Sequence, residues 1–180
     1  LNGNTAHIGK LTVGAGGKVD LGGGVLNIVA NAANTPSVTG GGTVAGNGAL
    51  TGAGELNLGL GTLTISGSNT DVQAMTTIAD GAKLVMGAAD ALGNAANAGQ
   101  ITVDGTLETG VAGTLHNLLG GSNTDALWDK KGAGTLVSAG NNTFAGKIKV
   151  SQGTLSLTGH NELVSGAELL TGTTLELAQD

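Results

Sequence analysis

Chemistry in this chain would have to come from its carboxylates, its histidines and a few polar turns. The carboxylates to weigh are Asp71, Asp80, Asp90, Asp104 and Glu108. Cleaving a polysaccharide needs clustered carboxylates, with a cationic group to stabilise developing charge. These five are spread along the sequence, and the seven basic residues are all Lys (10, 18, 83, 130, 131, 147, 149), with no Arg. No catalytic residue is assigned. His7, His116 and His160 lack ligand spacing and there is no Cys, so neither a metal nor a cofactor is expected. Gly67–Val72 (GSNTDV) and Gly121–Ala126 (GSNTDA) are near copies. Read from Gly120, the second departs at Asn123 from a calcium-binding nonapeptide of β-coils. Calcium takes 6–8 oxygens, which such coils supply from consecutive turns, and these copies stand too far apart. Turns closed by Asn or Ser side chains are the better reading. Gly40–Ala45 fits G-x-G-x-x-A but leads into strands, not a helix, so nucleotide binding is not expected.

One stretch suits contact with a partner. His116–Lys131 (HNLLGGSNTDALWDKK) reads as an inserted loop, and it holds the single Trp. Trp128, Asp125, Asp129, Lys130 and Lys131 form a candidate partner-contact loop, because an exposed aromatic flanked by charge can stack on a sugar or fill a partner's pocket. The competing reading is that Trp128 folds back with Leu118, Leu119 and Leu127 to seal the flank, since large aromatics are mostly buried.

Composition bounds the rest. Gly is 35 of 180 residues, aromatics are 1% and charged residues 11%, yet 39% are hydrophobic. Disorder pairs low hydrophobicity with high charge, so this chain is ordered but thinly cored. A net charge of −6 gives nothing to track a phosphate backbone, and no nucleic acid is expected as partner. No apolar run approaches the ~20 residues that span a bilayer. The chain begins at Leu1 and reads as a fragment of a larger protein, as a single segment over 1–180.

The elements that would position these residues are short strands at a fixed interval. Aliphatic centres at Val25, Val44, Leu63, Leu84, Leu107, Leu136, Leu155 and Leu175 are separated by 19, 19, 21, 23, 29, 19 and 20 residues. Further strands are expected at Lys18–Leu21, Glu55–Leu58, Thr76–Ile78, Ile101–Val103 and Lys147–Val150, with Leu11 and Val13 in a partial first coil. A period near 20 with two or three strands per turn describes a right-handed parallel β-helix (a β-solenoid) of about nine coils. Ala30–Pro36 is expected to be a turn, and Ala88–Asn97 a loop around an inserted Leu92. Phe144 is expected to plug a coil corner, and the Asn residues at turns to stack as amide ladders.

The clearest unit is Lys131–Leu157, KGAGTLVSAGNNTFAGKIKVSQGTLSL, in which the GTL of Gly134–Leu136 returns at Gly153–Leu155. Gly132, Gly134, Thr135, Leu136, Gly140, Asn141, Asn142, Thr143, Phe144, Gly146, Val150, Gly153, Thr154 and Leu155 make it resemble the autotransporter-associated β-strand repeat of Gram-negative passenger domains. The resemblance implies type V secretion to the bacterial cell surface or beyond, through an outer-membrane β-barrel carried in the same full-length chain. It implies a non-catalytic rod that acts as an adhesin, a self-association surface or a stalk, often in virulence. Its partners would be a host-cell surface or extracellular-matrix component, or another passenger. Two other functions compete: a carbohydrate-active β-helix enzyme fragment, and an ice-binding coil built on the Thr-x-Thr of Thr62–Thr64.

Overall fold

The computed structural model describes residues 4–8, 17–20, 25–28, 37–38, 42–45, 49–53 and 55–178. The expected partial coil at Leu11 and Val13 and the Ala30–Pro36 turn lie outside them. Among the described residues there is no helix. The chain is a parallel β-solenoid whose strands are four or five residues at most, each pairing with its counterpart a turn away.

The longest sheet stacks eight strands: β2 (Gly17–Asp20), β5 (Gly42–Ala45), β8 (Gly61–Ile65), β10 (Ala82–Met86), β12 (Thr106–Thr109), β15 (Leu127–Lys130), β17 (Lys147–Val150) and β19 (Ala167–Leu169). A second sheet holds β4 (Ser37–Val38), β7 (Glu55–Leu58), β9 (Met75–Ile78), β11 (Ile101–Val103) and β14 (Leu119–Gly120). Strands that follow the long-sheet strands form two shorter stacks. One is β1 (Thr5–Ile8), β3 (Val25–Ile28) and β6 (Ala49–Thr51); the other is β13 (Gly113–Leu115), β16 (Thr135–Ser138), β18 (Thr154–Thr158) and β20 (Thr174–Ala178). Between the two, residues 66–74 and 87–100 run as turns, and 66–74 is joined to the first stack by a bridge from Gly52 to Val72 and by the Leu50 N–H to Asn69 Oδ1 bond.

Alternation makes the core. In β7, β9, β16 and β17 the burial pattern switches residue by residue, as side chains on a strand must. Register then stacks the buried residues in columns. On the long sheet one column runs Leu63, Leu84, Leu107, Trp128, Ile148, and the next Ile65, Met86, Thr109, Lys130, Val150. Leu136, Leu155 and Leu175 stack on the last sheet. Loop 88–97 wraps inward on Ala91 and Leu92, both fully buried, as expected.

Two expectations are corrected. The solenoid has about six turns over its continuously described part, β8 to β20, and not nine coils. Residues 116–131 are not an outgrowth, because they supply β14 and β15, two strands of the wall. The 29-residue interval arose from joining two faces. Leu107 belongs to the long sheet and Leu136 to another, and the register successor of Leu107 is Trp128.

Candidate functional site

The five residues of the expected contact loop separate by strand alternation. Trp128 points into the core at 1% exposure, and its Nε1 donates to Thr109 Oγ1 at 3.1 Å. An indole N–H needs a partner when buried, and the polar Thr109 within an aliphatic column provides it. Lys130 is fully buried in the next inward position. Its ammonium donates to the carbonyls of Lys131 (3.1 Å), Gly132 (2.7 Å) and Gln152 (3.2 Å), tying two turns together at a corner. Burial holds its pKa below the usual lysine range. Neither side chain is available to a partner, so Trp128 and Lys130 are corrected as contact residues. Asp129 is nearly buried on the opposite side of the strand, and only Asp125 is exposed, in a turn where its N–H donates to Asn123 Oδ1.

Asp129 and Lys131 do join a cluster, which runs across turns. Glu108 sits in register with Asp129, so two carboxylates distant in sequence stand side by side. Lys83 Nζ reaches Glu108 Oε2 at 2.5 Å and Lys131 Nζ reaches the same atom at 2.9 Å, with Asp129 Oδ2 at 3.7 Å from Lys131. Ser151 Oγ donates to Asp129 Oδ1 at 2.6 Å, and Lys149 pairs with Glu168 one turn on. Burial pushes the Glu108 carboxyl up, but the hydrogen bonds and charges of Lys83 and Lys131 outweigh it and hold it below its usual range. Lys131 is raised, chiefly by its hydrogen bond to Glu108. A carboxylate held ionised between two ammonium groups is a poor proton donor near neutrality.

At the turns the asparagines bridge coils chiefly through backbone groups, and Asn142 with Asn161 forms a pair bonded amide to amide. Asn69 Oδ1 accepts from Leu50 N–H and its amide donates to Gly67 and Ala91 carbonyls. Asn117 Nδ2 donates to Leu92 and Gly99, and Asn142 accepts from Leu119 N–H while donating to Asn161 Oδ1 at 2.6 Å. The two GSNTD turns therefore serve differently: Asn69 ties neighbouring coils from a buried position, whereas Asn123 anchors its turn to Asp104. His160 is exposed beside Glu162, and the side chain of His7 lies outside the described residues. Thr62 and Thr64 pair with Lys83 and Val85 on the next turn, so Thr-x-Thr does not repeat upward.

A cleft of about 490 Å³ opens beside the residues that run as turns in place of strands. Gly87, Asp90 and Asn94 line one side and Ala112, Thr114 and His116 the other. Asp90 Oδ2 accepts from Ser68 Oγ at 2.5 Å, which fixes the carboxylate. Sequence reading missed this cleft because its two walls are separate in the chain and meet only through stacking. Comparison with protein-family models, with curated proteins and with solved structures returned no match.

Proposed function

We propose that the chain is a non-catalytic rod segment of an exported, surface-displayed or secreted passenger, serving as an adhesive, self-associating or stalk scaffold. The observation that carries this reading is the structural role of the residues that resemble the passenger repeat. Gly132 and Gly153 turn successive corners at positive φ, Asn141 and Asn142 bond to the next turn, and Phe144 is a buried plug with Gly146 pressed against its ring. Its motif thus spells the coil itself and leaves no convergent reactive groups. The coil is right-handed in this proposal, since parallel strands of one sheet joined by crossovers are right-handed in about 98% of cases. The partners are a host-cell or matrix component or another passenger, and the outer-membrane barrel belongs to the same full-length chain. Fusing residues 1–180 ahead of an outer-membrane β-barrel and scoring surface display, cell aggregation and adherence tests it. Display with gain of aggregation or adherence supports the proposal; failure to display in a folded form counts against it.

A second reading, a carbohydrate-active β-helix enzyme fragment, draws on Glu108 and Asp129 standing in register. Turnover of a polysaccharide that Glu108→Gln abolishes would favour it over the rod.

A further inference from the structure

We infer that the cleft between residues 87–94 and 111–116 is a binding site for a neutral oligosaccharide, the rod's own point of contact. Its volume of about 490 Å³ falls within the ~300–1,000 Å³ range of small-ligand sites. Four polar groups face it with capacity to spare. Among the described residues, Asp90 Oδ1, Asn94 Nδ2, Thr114 Oγ1 and the His116 ring have no hydrogen-bond partner. Asp90 and Asn94 are nonetheless fixed, the first by Ser68 Oγ and the second by an Asn94 Oδ1 bond from Ala96 N–H at 3.0 Å. Acceptors and donors fixed around one open space are what a ring of hydroxyls needs.

Other ligand classes fit less well. Among the described residues no ion pair neutralises Asp90, so a phosphate or uronate would meet an uncompensated negative charge. The described residues hold no group of three metal-ligating side chains, so a bare cation lacks its oxygen set. An extended peptide would have to add a strand at the free edge of β13. That edge is poor for pairing, because β13 is only three residues long and Gly113 at φ 134° departs from the strand geometry a ladder needs. The apolar lining is Gly and Ala with the single Val111, too little to grip a large apolar group. A polyol that approaches closely and bonds to the rim satisfies every feature.

The inference rests on reading the rod as a contact scaffold, and its test separates the two. The 180-residue chain is titrated, with backbone amide NMR as readout, with neutral trimers of glucose, mannose and N-acetylglucosamine, and with a galacturonate trimer. The expected result is saturable shifts confined to residues 87–94 and 111–116 for at least one neutral trimer, and none for the galacturonate. Asp90→Ala should weaken that binding tenfold or more. Ala112→Gln, which places a side chain in the cleft from an exposed position, should abolish it while the spectrum elsewhere stays unchanged. No shift with any neutral trimer, equal shifts with galacturonate, or binding that survives Ala112→Gln would overturn the site. Adherence of the displayed rod without saccharide shifts would sink this inference alone; saccharide shifts without display would sink the scaffold reading alone.

Discussion

The turn built by 131–157 and the segment 66–100 solve the same problem in different ways. In the first, positive-φ glycines turn the chain at Gly132, Gly140 and Gly153, the buried Asn142 amide bonds to the next turn, and strands β16, β17 and β18 fill the walls between. In the second, the strand that should follow β8 and β10 is replaced by turns, and the wall is closed by Val72, Ala74, Ala91 and Leu92 packing inward. Asn69 and Asn117 satisfy carbonyls there that a ladder would otherwise pair. Regularity therefore costs the chain freedom of sequence, whereas the cleft opens beside the irregular turns.

Removing the largest core side chain should do most damage to the regular half. Trp128→Ala is expected to cost about 3–5 kcal/mol in chemical denaturation, and Trp128→Phe about 2 kcal/mol, for the smaller cavity and the lost bond to Thr109. A contact-loop residue would show near-zero change in both, which would restore the loop reading.

Glycine substitutions separate close-packed turns from open ones, and the irregular segment holds both kinds, since Gly93 and Gly99 are as tight as Gly153. Gly153 has φ of 66°, and an added Cβ would lie 2.6 Å from the backbone of Gly132 and Ala133, so Gly153→Ala should cost about 2–4 kcal/mol. Gly67, in the irregular segment, has nothing within 4 Å of such a Cβ. Gly67→Ala should change stability by less than about 0.5 kcal/mol. Equal effects at both sites would erase the distinction.

Much of this was legible in the chain. Glu55–Leu58, Ile101–Val103 and Lys147–Val150 form strands where alternation placed them. Phe144 and Leu92 are buried as read. What alternation cannot say is which wall a strand joins, because Leu107 and Leu136 have the same local pattern. That ambiguity turned two wall strands into an insertion and Trp128 into a surface residue. The pairing of Glu108 with Asp129 was invisible for the same reason: neighbours across turns are set by register, not by sequence distance.

Smaller effects test the polar interior. Thr76 Oγ1 is buried without a partner, in register with Leu56 and Ile101. Thr76→Val removes that hydroxyl at nearly constant volume and should stabilise by about 1 kcal/mol in thermal unfolding. Acid should act through Glu108. Its folded pKa is depressed, so its contribution is whole above the ordinary value of 4.5 and lost as pH falls through the lower folded value. Glu108→Gln should flatten that acid limb of a stability–pH profile. Lys130 gives the same sense in the alkaline range, although its burial costs stability where Glu108 adds it: its folded pKa is lowered, so stability should rise as pH climbs from that value towards 10.5. Lys130→Met should remove the rise, while the part due to Lys131 persists below 10.5 and is lost above its raised value.

The central claim is that residues 127–130 are a rung of the wall, paired on both sides. Native-state hydrogen exchange read at single amides tests it most directly. The account predicts that Leu127–Lys130 are protected to the same degree as Thr106–Thr109 and Lys147–Val150, their register partners. Exchange of Leu127–Lys130 as fast as the exposed turn at Ser122–Asp125, with the neighbouring strands still protected, would contradict it.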